Sequence, residues 1–184
     1  MPTVALKVQQ DGTWRGWNLL VGATFGYQTV DDSDGVTHDS ASTYLRLPKL
    51  SLVNGQGRVS FPVFLQAEGM MPASITINMV GRAAGGGGGA SPDMQIGFLI
   101  GGVPTFHASL FDPGADWALA QRTFSVNPIT GSPWSAQDLV GLEVCVQNED
   151  LTNGSNDVTL VSGSMDYTPA TNALRLAPWV EPIA

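Results

Sequence analysis

With 184 residues, 43% of them hydrophobic, the chain is long enough to bury a core and reads most simply as one domain. Only 13% of residues are charged, about half the usual share, while glycine (22) and proline (12) are plentiful, a mixture that points to an all-β sandwich or barrel. The net charge is −8, and the eight cations are scattered with no cluster fit to neutralise a row of phosphates, which argues against direct nucleic-acid binding and against an anionic membrane surface.

The N-terminal stretch Met1 to Lys7 lacks the basic segment and apolar run of a secretion signal. No run approaches the ~18 apolar residues that cross a bilayer, so the expectation is a soluble protein made in a cytoplasm. Thr3 to Val8 predicts a first strand, closed by a Gln10-Asp11-Gly12 turn. Trp14 and Trp17 follow around Arg15-Gly16. Two indoles at that spacing fit a sugar-stacking surface, although their commoner role is to plug a hydrophobic corner. Leu19 to Val30 is strand-like, with Phe25 and Tyr27 alternating with small residues. Asp31, Asp32, Asp34 and Asp39 form the densest acidic cluster and raise the question of calcium. The order Asp-Asp-Ser-Asp-Gly lacks the calcium-loop spacing and its terminal glutamate, which favours a solvated loop whose aspartates cap their own turns. His38, inside this loop, has no second His or Cys nearby and makes a poor transition-metal site.

Tyr44 to Leu52 alternates as a strand, with Pro48 marking an edge or bulge. Asn54-Gly55 signals a hairpin, and Val59 to Ala67 returns with Pro62 inside it. Met70-Met71-Pro72 reads as a break; Ser74 to Arg82 then predicts a strand with Ile75, Ile77 and Met79 on one face. Gly85 to Gly89 is followed by neither Lys-Ser/Thr nor a helix, so a flexible hairpin tip fits better than a phosphate cradle. Met94 to Ile100 and Val103 to Phe111, the latter carrying His107, are further strands, and Asp112-Pro113-Gly114 turns the chain into Trp117 to Val126.

The stretch from Phe124 to Val146 organises the rest. Asn127-Pro128 and Thr130-Gly131 are turn dipeptides, and Trp134 is large enough to plug the end of a core. Ser135 stands three residues before Asp138, a capping-box spacing for one short helical turn. Leu142, Val144 and Val146 then alternate with Glu143, Cys145 and Gln147, the period of a strand. Asn148 to Asp157 is composed as a loop, and its Asn153-Gly154-Ser155 sequon carries no weight without a secretion signal. Val158 to Tyr167 predicts the last strand. Residues 169–184 contain Pro169, Pro178 and Pro182 in an apolar tail, whose Trp179 and Ile183 dock either on the domain or on a neighbour.

Catalysis finds little footing. His38 and His107 are the two histidines, no serine sits in a G-x-S-x-G setting, and Cys145 in mid-strand reads as a small packed hydrophobe. No pair of carboxylates stands out. The expectation is a protein that is not an enzyme and takes no cofactor and no metal.

The stretch from Asn127 to Val146, with its pattern N-P-x-T-G-x-P-W-S-x-x-D-L-x-x-L-E-V, resembles a segment that recurs in bacteriophage virion proteins, and the Tyr27 to Leu47 portion is similar too. That resemblance implies a jelly-roll-like sandwich of the kind found in capsid-decorating, neck and tail-accessory components. The expectation is therefore a single antiparallel β-sandwich over residues 1–168 with an extended C-terminal arm over 169–184. Its role would be that of a decoration or cement protein on the outer surface of a virion. It would act as a homo-oligomer that binds the major capsid protein or other virion proteins across subunit joints, with Leu174, Leu176, Trp179 and Ile183 of the arm as contacts. The alternative expectation is a carbohydrate-binding module of a fibre or tail, or a neck or tail accessory. In the carbohydrate case Trp14, Trp17, Tyr27 and Trp117 would supply one stacking surface, with Asp31, Asp32 and Asp34 binding hydroxyls or calcium.

Overall fold

β5 (Met70–Ala83) and β10 (Asn156–Pro169), each 14 residues long, pair antiparallel along their whole length and form the spine of the molecule. The computed structural model describes residues 1–8, 10–21, 24, 43–51, 56–64, 70–84, 93–149 and 154–169. Ten strands lie among them: β1 (Thr3–Val8), β2 (Leu19–Val21), β3 (Tyr44–Leu47), β4 (Arg58–Phe64), β5, β6 (Met94–Ile100), β7 (Val103–Phe106), β8 (Ala118–Phe124), β9 (Glu143–Asn148) and β10. Every pairing between them is antiparallel. One sheet runs β8-β5-β10, and β10 then shares its other edge between β1 and β3, with β2 beyond β3. The second runs β4-β9-β6-β7. β1 joins the two: Thr3 to Leu6 pair with β10, and Lys7 and Val8 pair with Phe64 and Val63 of β4. The fold is an all-β, jelly-roll-like sandwich of two antiparallel sheets.

Side-chain parity explains why the sheets face each other. Ile75, Ile77 and Met79 of β5 are fully buried, as the alternation predicts. They meet Val59 and Phe61 of β4, Ile96 and Phe98 of β6, and Val144 and Val146 of β9 in one core. Each such side chain contributes about 1.5–3 kcal/mol by leaving water. The end of the core is closed by the corner after β8. Trp134 is 3% exposed and sits edge-on to Phe98, with ring centroids 5.5 Å apart. Its indole Nε1–H donates to the Phe124 carbonyl at 2.9 Å. The turn before it is held by Asn127, whose Oδ1 accepts the Ile129 amide at 2.9 Å, and by Gly131 at φ 69°, a left-handed conformation that suits glycine. The Asp138 carboxylate accepts both the N–H and the O–H of Ser135, each at 2.8 Å, at the start of a short 3-10 turn, Ala136–Leu139. Ser135 and Asp138 thus take up the expected capping arrangement.

Several segments depart from the sequence reading, among them β3, which stops at Leu47 before Pro48. Met70-Met71-Pro72 is not a break but the start of β5, and a register shift between Asp166 and Tyr167 opposite Pro72 absorbs the proline's missing donor. β7 stops at Phe106, and Phe111 makes only an isolated bridge to Met94. Asn148, Asn156 and Asp157 are not loop but strand ends, and all three are fully buried. Side-chain amides hold the two asparagines there: Asn148 Nδ2 donates to the Leu47 and Pro48 carbonyls at 3.1 and 2.7 Å, and Asn156 Nδ2 donates to Asn148 Oδ1 at 2.8 Å. Pro62 lies inside β4, at the parity of Ser60, whose N–H faces away from β9. Its lost donor therefore falls on the strand edge and leaves the β4–β9 ladder intact. β10 extends to Pro169, which pairs with Met70, one residue past the expected domain boundary. The Asn54-Gly55 hairpin, Gly85 to Gly89, and the arm residues after Pro169 lie outside the described residues.

Replacing the corner plug tests this packing. Trp134→Ala removes a buried aromatic and its hydrogen bond, and is expected to cost about 3–5 kcal/mol in urea denaturation; an unchanged midpoint would contradict the plug.

Candidate functional site

Inward parity on the second sheet dictates what its outer face carries. The register aligns Arg58, Gln147 and Gln95 in one row, Ser60, Cys145, Gly97 and Phe106 in the next, and Pro62, Glu143, Leu99 and Pro104 in the third. The middle row is small until it reaches Phe106. At Gly97 a Cβ would run into the Thr105 carbonyl oxygen and the Phe106 ring, so only glycine lets β7 lie this close. Residues 12–16 run along the free edge of β4: the Gly12 amide donates to Ser60 O at 2.8 Å, Ser60 to Trp14 O at 3.0 Å, and Gly16 to Arg58 O at 2.8 Å. Glu143 pins this segment from below, its carboxylate accepting the Thr13 amide at 2.8 Å, the Thr13 hydroxyl at 2.6 Å and the Ser60 hydroxyl.

Trp14, fixed in this way, reaches across the small row. Its ring and that of Phe106 are 6.3 Å apart between centroids and 23° from parallel. Ser60 and Phe106 lie three strand spacings apart, about 14 Å, so the two rings meet over Cys145 and Gly97. The Arg58 guanidinium lies over the Trp14 ring at 4.3 Å. Beside it opens a solvent-facing cleft of about 450 Å³ lined by Thr13, Trp14, Arg15, Trp17, Gln56 and Arg58. Both indoles are half-buried; Trp17 also packs against the core. Cys145 beneath is fully buried, and burial, aided by Glu143, pushes its thiol well above the ordinary value.

The outer face of the first sheet holds a different cluster. Asp157, fully buried, accepts Arg46 Nε at 2.7 Å and Nη2 at 3.1 Å, and Arg82 Nε and Nη2 at 3.3 Å each. The hydrogen bond to Asp157 raises the Arg46 pKa and keeps the guanidinium charged. Arg82 also lies 4.4 Å over Trp117, which meets Tyr44 edge-on at 6.1 Å. The stacking surface expected from Trp14, Trp17 and Trp117 together is therefore divided: Trp14 and Trp17 share one cleft, and Trp117 belongs to the opposite sheet. Tyr27, His38, Asp31, Asp32, Asp34 and Asp39, and the arm residues Leu174, Leu176, Trp179 and Ile183, lie outside the described residues. His107 is a packing residue, with Nδ1 accepting the Ser109 amide at 3.0 Å and its ring edge-on to Phe124 at 5.4 Å. Among the described residues no three His, Cys, Asp or Glu side chains converge to hold a metal. Arg58, Gln56 and Phe106 are absent from the sequence-predicted set. For Arg58 a faint signal existed, since Arg58, Ser60 and Pro62 alternate with apolar Val59 and Phe61 and must face outward together.

No protein-family model matches the chain, and no curated protein matches it. Among solved structures it is similar to the CBM22-1 xylan-binding domain from Paenibacillus barcinonensis Xyn10C, at 12% identity and TM-score 0.43 over 88% of this chain and 92% of that one. It is also similar to CBM29_1, a family 29 carbohydrate-binding module from Piromyces equi, at 10% identity and TM-score 0.43 over 90% and 93%. A third, a structure titled "CBM4 structure and function", gives 14% identity and TM-score 0.42 over 82% and 95%. The strand pairing of this chain, and not these likenesses, establishes the sandwich.

Burial of Cys145 has a direct consequence. At pH 8 a disulfide reagent is expected to label the native protein roughly a hundredfold more slowly than the urea-unfolded chain, because both access and thiolate are withheld. Equal rates would place the thiol at the surface.

Proposed function

We propose that this domain binds carbohydrate in the cleft between Trp14, Trp17 and Arg58. One observation carries the reading: two partly exposed indoles line the same open polar cleft, in a molecule that buries Trp134 to 3%. A pyranose offers C–H patches that stack on an indole face and hydroxyls that bond to a polar rim; Thr13, Gln56, Arg15 and Arg58 supply that rim. The cleft volume falls within the roughly 300–1,000 Å³ of small-ligand sites. Its described lining contains neither a carboxylate nor a histidine, so the chemistry it supports is recognition, without bond cleavage.

A virion role, read from the Asn127–Val146 resemblance, concerns where the domain works. In its favour, Val126, Ile129 and Val140 of the same corner are 42%, 43% and 67% exposed, apolar side chains available for contact with the major capsid protein or another virion protein. Locating the chain on a purified particle would sustain this reading, and its absence from every purified particle would end it.

The glycan reading is tested by titrating a panel of soluble oligosaccharides and polysaccharides against the protein by calorimetry. Trp17→Ala is expected to weaken binding about 30-fold or more, the loss of an anchoring aromatic worth ~2 kcal/mol. Trp117→Ala, on the other sheet, is expected to leave it unchanged. Binding that survives Trp17→Ala, or a panel with no binder, would contradict the proposal.

A further inference from the structure

We infer that the ligand of this cleft is an acidic glycan, and that Arg58 receives its carboxylate. This rests on the carbohydrate reading and narrows it to a chemical class.

The arginines differ in what they bond. Among the described residues Arg46 and Arg82 share Asp157, Arg122 donates to the Ser109 and Leu110 carbonyls, and Arg15 Nε donates to Gly12 O. Arg58 differs from all four. Its Nε is buried with no hydrogen-bond partner, and its contact is with the Trp14 ring at 4.3 Å. A buried charged donor without an acceptor is costly, and a structure keeps one where a ligand supplies the acceptor. Contact with a ring face leaves a guanidinium's in-plane N–H donors uncommitted, and that planar fork matches the two oxygens of a carboxylate.

Charge points the same way. In a chain of net charge −8, the described residues that line the cleft include Arg15 and Arg58 and no acid. Glu143, the nearby outward-facing carboxylate, is already occupied by Thr13 and Ser60. The cleft is thus a local positive spot on an acidic surface. At physiological salt the repulsion from the rest of the molecule is screened beyond about 8 Å, while a contact pair in the cleft is screened far less. A neutral sugar would need only the indoles and the polar rim. A uronic or sialic acid unit would stack on Trp17 by its ring and give its carboxylate to Arg58, with Arg15 adding charge at the mouth.

The test compares matched probes by calorimetry: oligogalacturonate, oligoalginate and polysialic acid against neutral galactan, xylan and cello-oligosaccharides, with carrageenan as a sulfated, carboxylate-free polyanion. At least one carboxylated probe is expected to bind about tenfold or more tighter than its neutral counterpart and tighter than carrageenan. Arg58→Gln is expected to bring the acidic-to-neutral ratio to about one, while Arg122→Gln, which removes the same charge elsewhere, leaves the ratio intact. Should Arg58→Gln fail to fold by circular dichroism, Arg15→Gln is expected to lower the ratio roughly threefold. Neutral probes binding as tightly as acidic ones, carrageenan binding best, or a ratio indifferent to both arginines would overturn this inference while leaving the carbohydrate reading in place. No probe binding at all, with Trp17→Ala silent, would remove both.

Discussion

Side-chain parity in β4, β6 and β9 is the constraint from which both faces of the second sheet follow. Because alternate residues point to opposite sides, the choice that sends Phe61, Phe98 and Val144 into the core also fixes Ser60, Cys145 and Gly97 as the outward row. A slip of one residue in any of these strands would expose the core set and bury Arg58 and Glu143. Two things hold the register against that slip. Trp134 caps the end of the inner layer, and the Glu143 carboxylate ties Thr13 beside the edge of β4. The smallness of the outward row then gives Trp14 and Phe106 room to close over it.

The two outer faces show contrasting solutions to the same electrostatic problem. On the first sheet two arginines converge on one fully buried aspartate, each arginine side chain about one-third exposed, and the aromatic rings of Tyr44 and Trp117 pack around them. That cluster is self-contained: its buried charge has acceptor and donors in place, as a stable structure requires. On the second sheet Arg58 has the aromatic partner but no acceptor. One face is complete without a ligand; the other is not.

Local patterns in the sequence reveal the elements and miss their neighbours. Thr3–Val8, Met94–Ile100 and the strand from Glu143 are legible because alternation is a local property, and the corner at 127–139 is legible because turn residues act on their own backbone. β5 is longer than its pattern suggests, since a bulge at Ala73, opposite Asp166 and Tyr167 of a partner some 95 residues away in sequence, accommodates Pro72. Asp157 reads as loop because its reason for burial, Arg46 and Arg82, arrives through strand pairing. Strand order also separates Trp117 from Trp14 and Trp17, and it brings Arg58 to Trp14. A single sequence carries no direct mark of strand order, so the tryptophans were visible as candidates and the cleft was not.

Which indoles meet the ligand is the decisive point, and the protein's five tryptophans make it directly readable. The most decisive measurement is a two-dimensional NMR titration of the indole N–H resonances with the tightest-binding oligosaccharide. The signals of Trp14 and Trp17 are expected to move with saturable, identical affinity, while those of Trp117 and Trp134 stay in place. Movement centred on Trp117, or a set of resonances untouched at saturating sugar, would contradict the cleft as the working surface of this protein.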